Sequence, residues 1–221
     1  MTYYTEQTVE FLWNLRLNNN KEWFLAHKSE YETLMLEPTR ALANAAFEHM
    51  RDKYPKYDWK LHISRIYRDA RRLYGRGPMN DHLWFTVYTD KNNHPAFYFG
   101  FDPDGFDYGL GCWSEGSVML KRLRRQIAVD PTPAEQLARR LNRQSEFVLW
   151  GDRYKKQKYE AGPLLTDWVN RKNIGLGSQH LHPDGFGPAL QGRVLAAFDW
   201  MMPYYVFFST LPELEESDQP L

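Results

Sequence analysis

The stretch Leu83-Trp-Phe-Thr-Val-Tyr-Thr-Asp-Lys-Asn-Asn-His-Pro-Ala-Phe-Tyr-Phe-Gly-Phe-Asp-Pro-Asp-Gly-Phe-Asp-Tyr-Gly-Leu-Gly-Cys112 decides the fold class. It holds three short runs rich in aromatic and β-branched residues, at 83–89, 96–101 and 106–112. They are separated by the turn-forming segments 90–95 and 102–105. Three strands joined by short turns read as an antiparallel meander. A fourth candidate strand, 61–68, precedes them across Gly77-Pro78.

Outward from the meander the spacing becomes helical. Val9, Leu12, Trp13 and Leu15 or Leu17 predict a short amphipathic helix over 6–17. Asn19 and Glu22 have capping-box spacing, so a second helix is expected over about 20–36, with Asn19 as its N-cap. Pro38 suits the first turn of a third helix running to about Tyr54. After the meander, helices are expected at 115–128 and 134–143, another starting near Pro163, and a terminal one over 188–211 kinked or broken near Pro203. The basic segment 147–159 is less regular, and 175–183 reads as loop or edge strand. The sum is an α+β fold: an antiparallel sheet of about four or more strands packed with N-terminal, middle and C-terminal helices. It is expected as one domain over 1–212, with 213–221 a frayed acidic tail.

Composition narrows the function classes. Eight Trp, fourteen Tyr and thirteen Phe put aromatic rings in much of the core, where Tyr and Trp need polar partners. Lys plus Arg equals Asp plus Glu at 28 each, which argues against a dedicated nucleic-acid binder. The single Cys112 excludes an intrachain disulfide and a multi-cysteine metal site. The N-terminus lacks a signal-peptide pattern, and Asp199 and Pro203 interrupt the most apolar stretch. A cytosolic protein without a membrane span is the expectation.

The strongest chemical signal is the segment 64–77, which crowds Arg65, Arg68, Arg71, Arg72 and Arg76 against Asp69. Read as a strand, it puts Arg65, Tyr67, Asp69 and Arg71 on one face. Two readings stay open. In one, Arg65, Arg68 and Arg71 grip a small anionic or phosphorylated ligand, with Asp69 fixing one guanidinium, and the chain is a binding domain or an enzyme. Alternatively the arginines form an internal ion-pair network with Glu22, Glu30 or Glu37, and the chain is a protein-interaction or assembly domain. Trp23, His27 and Tyr31 form one helical stripe, which is either aromatic core with His27 in a buried hydrogen bond, or a wall of the same cleft, with Trp23 lining it and His27 and Tyr31 the candidates for moving a proton. Asn18 lacks the local explanation that capping gives Asn19, and joins the candidate ligand residues.

Other signals have plainer readings. His180, His182 and Asp184 alternate as metal ligands can, but the surrounding Pro183, Gly185 and Gly187 read as a surface loop, so no metal or cofactor is expected. Asp102-Pro-Asp-Gly105 reads as a turn. Gly109 and Gly111 are expected to allow a sharp strand-to-helix turn before an N-cap at Ser114. The Lys121–Arg125 cluster is expected on a solvated helix face.

Asn18-Asn19, Trp23-Phe24, His27, Tyr31 and Pro38, then Arg65-Ile-Tyr-Arg-Asp69 with Arg71, and Gly109-Leu-Gly111, together resemble the family called domain of unknown function 2461 over residues 8–210. Where such sequences usually have Pro-Tyr-Lys, this chain has Pro78-Met-Asn80. The resemblance implies a cytosolic α+β domain and brings no catalytic residues with it.

Overall fold

The computed structural model describes residues 3–69, 71, 77–90, 94–113 and 118–213. Arg72 and Arg76 of the arginine segment, the expected cap Ser114, and the acidic Glu215, Glu216 and Asp218 lie outside the described residues.

Helix α1 (Glu6–Leu17) begins where Thr8 Oγ1 accepts the Thr5 N–H at 3.0 Å, one half of a capping box. It buries Phe11, Leu12 and Leu15. Asn18 closes it, both its backbone N–H and its Nδ2 donating to the Asn14 carbonyl at 2.9 Å. The expected cap then shifts by one residue. Asn20, not Asn19, caps α2 (Lys21–Ala26) by accepting the Trp23 N–H at 2.9 Å.

The two helices expected from 20 to 54 are divided differently. After α2, the chain is helical through α3 (Lys28–Tyr31), a π-helical turn (Glu32–Leu36) and α4 (Glu37–Lys53). Pro38 therefore sits in a continuing helix. It has no N–H for the Leu34 carbonyl four residues back, and the Thr8 hydroxyl donates to that carbonyl instead, at 3.0 Å. Thr39 similarly donates to the Met35 carbonyl at 2.6 Å. A proline that would otherwise break the helix is accommodated by one buried threonine from α1.

The sheet holds six antiparallel strands in the order β1-β2-β3-β4-β6-β5. They are β1 (Lys60–Ile63), β2 (Leu83–Tyr88), β3 (Ala96–Asp102), β4 (Gly105–Cys112), β5 (Val148–Trp150) and β6 (Ile174–His180). The fold is α+β, and the three meander strands lie where the turn signals put them. The turn between β3 and β4 is closed by Asp102 Oδ1, which accepts the N–H groups of Asp104 (2.7 Å) and Gly105 (2.9 Å).

Two expectations for the sheet fail. The segment read as loop or edge strand contains β6, an interior strand between β4 and β5. Gly109 and Gly111 lie inside β4 rather than at a strand-to-helix turn. Gly111 and Gly175 share one requirement: a Cβ at either would fall 2.2 Å from the indole of Trp150, so both positions need a bare backbone under that ring.

The remaining helices are α5 (Val118–Val129), α6 (Thr132–Asn142), α7 (Thr166–Val169) and α8 (Ala189–Ser209), with a 3₁₀ turn at His182–Gly185. Helix α8 continues through the exposed Pro203 rather than breaking there.

By contacts the chain forms two compact units. One comprises residues 1–87, 98–108 and 179–197, and its core stacks Tyr4 on Phe101 with ring centres 4.2 Å apart. The other comprises 88–97, 109–178 and 198–221, and packs Phe97 against Phe198 and Tyr205. Three buried phenols have the partners their burial demands. Tyr4 bonds Thr39 Oγ1 at 2.8 Å, Tyr204 donates to the Leu137 carbonyl at 3.0 Å, and Tyr205 bonds Thr89 at 2.6 Å. No helix among the described residues is long and apolar enough to cross a membrane.

Candidate functional site

The arginine segment leaves the sheet after β1. Beyond Ile63, among the described residues of the segment only Tyr67 pairs as a strand residue, with Met79 in an isolated antiparallel bridge. The alternation of faces is real: Ser64 and Ile66 are buried, while Arg65, Tyr67, Asp69 and Arg71 are exposed. Arg68 follows the inner face. Its Nε donates to the Met79 carbonyl at 2.7 Å, and its Nη2 reaches Asp81 Oδ1 at 3.3 Å. Its side chain keeps only 12% of its surface exposed.

Asp81 is the hub of this cluster. Arg16 of α1 bonds its other oxygen, and His82 Nδ1 lies 3.2 Å from Oδ1. Arg16 also reaches Asp104 at 3.1 Å. Burial would raise the Asp81 carboxyl, but hydrogen bonds from Arg16 and His82 outweigh it and hold the group below the usual carboxylate range. Two guanidinium groups thus share two carboxylates. Arg68 pairs with Asp81 rather than with the early-helix acids Glu22, Glu30 or Glu37.

Asn19, freed from capping, locks the same segment. Its Nδ2 donates to the Met79 carbonyl at 2.8 Å and its Oδ1 accepts the Met79 N–H at 2.9 Å, so the amide pairs with Met79 as a strand neighbour would. Gly77 is needed beside it, because a Cβ there would fall 2.3 Å from the Asn19 side chain.

The other expected ligand residues separate. Arg71 bonds Asp69 through Nε and Nη2 at 2.7–3.2 Å, a surface pair with the Arg71 side chain 87% exposed. Asn18 is spent closing α1. Trp23 stacks on His27 with ring centres 4.1 Å apart, and His27 Nδ1 donates to the Trp23 carbonyl at 2.8 Å. Tyr31 is buried against Phe24, and burial pushes its phenol up to about 12, so it stays protonated at neutral pH. His180 ends β6 stacked on Phe106 and Tyr108, and His182 Nε2 bonds the Asp102 carbonyl at 2.8 Å. Among the described residues no three His, Cys, Asp or Glu side chains are grouped to hold a metal ion.

A second cationic cluster lies in the other unit, and sequence order disguises it. Arg124 of α5 is not on a solvated face. Its Nε donates to the Val169 carbonyl at 2.9 Å and its Nη2 to the Arg171 carbonyl at 2.7 Å. Its guanidinium lies 4.3 Å from the Tyr159 ring centre. Arg171, almost fully buried, donates to the Gly151 carbonyl and, at 2.7 Å, to Asp167. Arg153 reaches the other oxygen of Asp167 at 2.8 Å. Burial would raise the Asp167 carboxyl, but the two arginines hold it below the usual range.

One amide fixes the loop that carries these groups. Asn170 Oδ1 accepts the N–H groups of Lys158 (2.8 Å) and Tyr159 (3.0 Å), while its Nδ2 donates to the carbonyls of Tyr159 (2.8 Å) and Thr166 (2.9 Å). The backbone of residues 158–159 is thereby pinned, while Lys155, Lys156 and Lys158 stand exposed. The sequence signal was the run 153–158. What brings Arg124 to it is a pair of carbonyl groups 45 and 47 residues further on.

A search of curated proteins finds no match for the chain. A family model described as "Conserved hypothetical protein (DUF2461)" matches residues 7–207. That span includes both clusters and every element from α1 to nearly the end of α8, and the chain belongs to the DUF2461 family.

Proposed function

We propose that this chain is a cytosolic binding domain for an anionic partner, in which the arginine segment is scaffold and the basic loop 152–160 is the recognition surface. One observation carries this reading: in that loop exposed cations outnumber exposed carboxylates by four to two, and the backbone behind them is fixed. Arg153, Lys155, Lys156 and Lys158 share the segment with Asp152 and Glu160, and Asn170 holds it in place. By contrast, Arg68 is only 12% exposed, with its Nε on the Met79 carbonyl and its Nη2 on Asp81. A guanidinium so engaged offers little to a ligand.

A thermal-shift comparison tests the reading. Heparin raises the melting temperature of the wild type by mass action, and Lys155→Gln/Lys156→Gln/Lys158→Gln loses that rise. Arg68→Ala melts lower but keeps it. Protection of the wild type by phosphate or nucleotides that vanishes in Arg68→Ala would return the site to the arginine segment. A second reading, a protein-interaction domain, draws on the exposed Trp13, Leu17, Leu25 and Tyr67 of the first unit. A heparin-insensitive wild type that forms a stable complex through those residues would favour it.

A further inference from the structure

We infer that the basic loop, backed by Arg124, docks single-stranded nucleic acid; this rests on the anionic-partner reading and names the partner. Three features select this class. The exposed cations Lys155, Lys156 and Lys158 follow one another along the segment, while Arg124 and Arg171 have bonded carbonyl groups and are fixed charges. A small phosphate wants convergent donors, whereas a strand presents phosphates in series.

Two tyrosines flank the lysines, Tyr154 before Lys155 and Tyr159 after Lys158. Tyr154 carries Lys158 over its ring at 4.2 Å, and Tyr159, with Arg124 over its ring, is 37% exposed. An acidic peptide would need the charges alone, while bases add a use for the rings. The geometry is also held before binding. The backbone at Lys158 and Tyr159 is pinned by Asn170, and that at Asp152 by the Asn173 side chain, whose Oδ1 accepts the Asp152 N–H at 2.7 Å. A partner therefore meets an ordered surface and does not bear the entropy of ordering it.

The neutral chain total conceals this, because it averages a local excess of cations with carboxylates elsewhere.

Fluorescence anisotropy of the full chain with labelled twenty-nucleotide oligo-dT and oligo-U, from 50 to 200 mM salt, tests the inference. With about four phosphates neutralised, the log–log salt slope is near −3, or about 50-fold weaker binding over that range. Lys155→Gln/Lys156→Gln/Lys158→Gln flattens the slope by about 2 and weakens binding at least tenfold at 50 mM salt, with an unchanged melting temperature. Tyr159→Leu weakens binding about tenfold and leaves the slope unchanged.

Oligonucleotide binding indifferent to the triple variant, or to Tyr159→Leu, overturns the assignment. If heparin and polyglutamate bind through the lysines but oligonucleotides do not, the nucleic-acid inference falls and the anionic-partner reading stands. If no polyanion binds at 50 mM salt, both fall.

Discussion

Each unit of this protein gathers two arginines around one aspartate, and the two clusters are spent differently. At Asp81 the cations are Arg16 and Arg68, Asp104 supplies a second carboxylate, and the Asn19 amide pairs with the adjoining backbone. Charge there is balanced, and Arg68 is almost enclosed. At Asp167 the cations are Arg153 and Arg171, but Arg124 stands nearby on two carbonyls, and lysines follow in the same loop. Charge there is left over. A guanidinium count alone would rank the arginine segment first. What separates scaffold from surface is how far each cation is enclosed: Arg68 keeps 12% of its side chain exposed, while Lys155, Lys156 and Lys158 stand in solvent.

The sharpest way to break the comparison is to remove each hub. Asp81→Ala leaves Arg16 with only the exposed Asp104, and leaves the enclosed Arg68 without a carboxylate. Breaking a pair of this kind costs about 3–5 kcal/mol, which urea unfolding of the purified chain measures. Asp167→Ala is expected to cost less, about 2 kcal/mol, because Asp167 is 38% exposed while the enclosed Arg171 keeps its bond to Gly151. A larger loss at Asp167 than at Asp81 would reverse the assignment of scaffold and surface.

The asparagines offer a finer cut. Asn170→Ala removes four hydrogen bonds that hold the basic loop, and about 2 kcal/mol of stability is expected to go with them. Trypsin should then cleave at Arg153, Lys155 or Lys156 at least tenfold faster than in the wild type, because local opening becomes more frequent. An unchanged cleavage rate would mean that the loop is held by something else. Asn20→Ala, which removes only a helix cap, should cost about 1 kcal/mol.

These asparagines also mark how far the sequence could be read. The meander was legible because its strands end at Asp102-Pro-Asp-Gly105 and near Pro95, turn chemistry that acts within a few residues. Helix α1 was legible from its apolar spacing. The division of roles between Asn19 and Asn20 was not, because it is decided by Met79, sixty residues away. The same holds for the arginine segment. Its alternation of faces was readable, but its treatment as a sheet strand assumed a neighbour, and only Tyr67 found one. Arg124 looked like a solvated residue in a charge run, yet carbonyls on a distant loop claim it. Local chemistry is written in the sequence, whereas the engagement of a cation depends on contacts that no spacing rule contains.

The last effect expected has the opposite sign, and comes from a carboxylate raised by burial rather than held down by a cation. Asp107 lies on β4 beside Gly100, where a Cβ would fall 2.7 Å from Asp107 Oδ1, and burial together with the nearby charge of Asp102 pushes its carboxyl up to about 6. At pH 8 the group is charged in both states, and the folded state bears the cost of burying that charge. As pH falls through 6 the folded chain takes up a proton that the unfolded chain does not take until about pH 4, so this group adds stability as the solution becomes more acid. Asp81 and Asp167 run the other way: their depressed carboxyls stabilise the fold above the ordinary carboxylate pKa, and that contribution is lost as pH falls below it. Asp107→Asn should therefore stabilise the chain at pH 8 by about 1–2 kcal/mol, a figure reduced for partial solvent access. The gain should shrink toward zero by pH 4. Urea unfolding of both proteins at pH 8, 6 and 4.5 measures it, and a difference that stays constant across that range would show that the Asp107 charge is as well solvated in the fold as outside it.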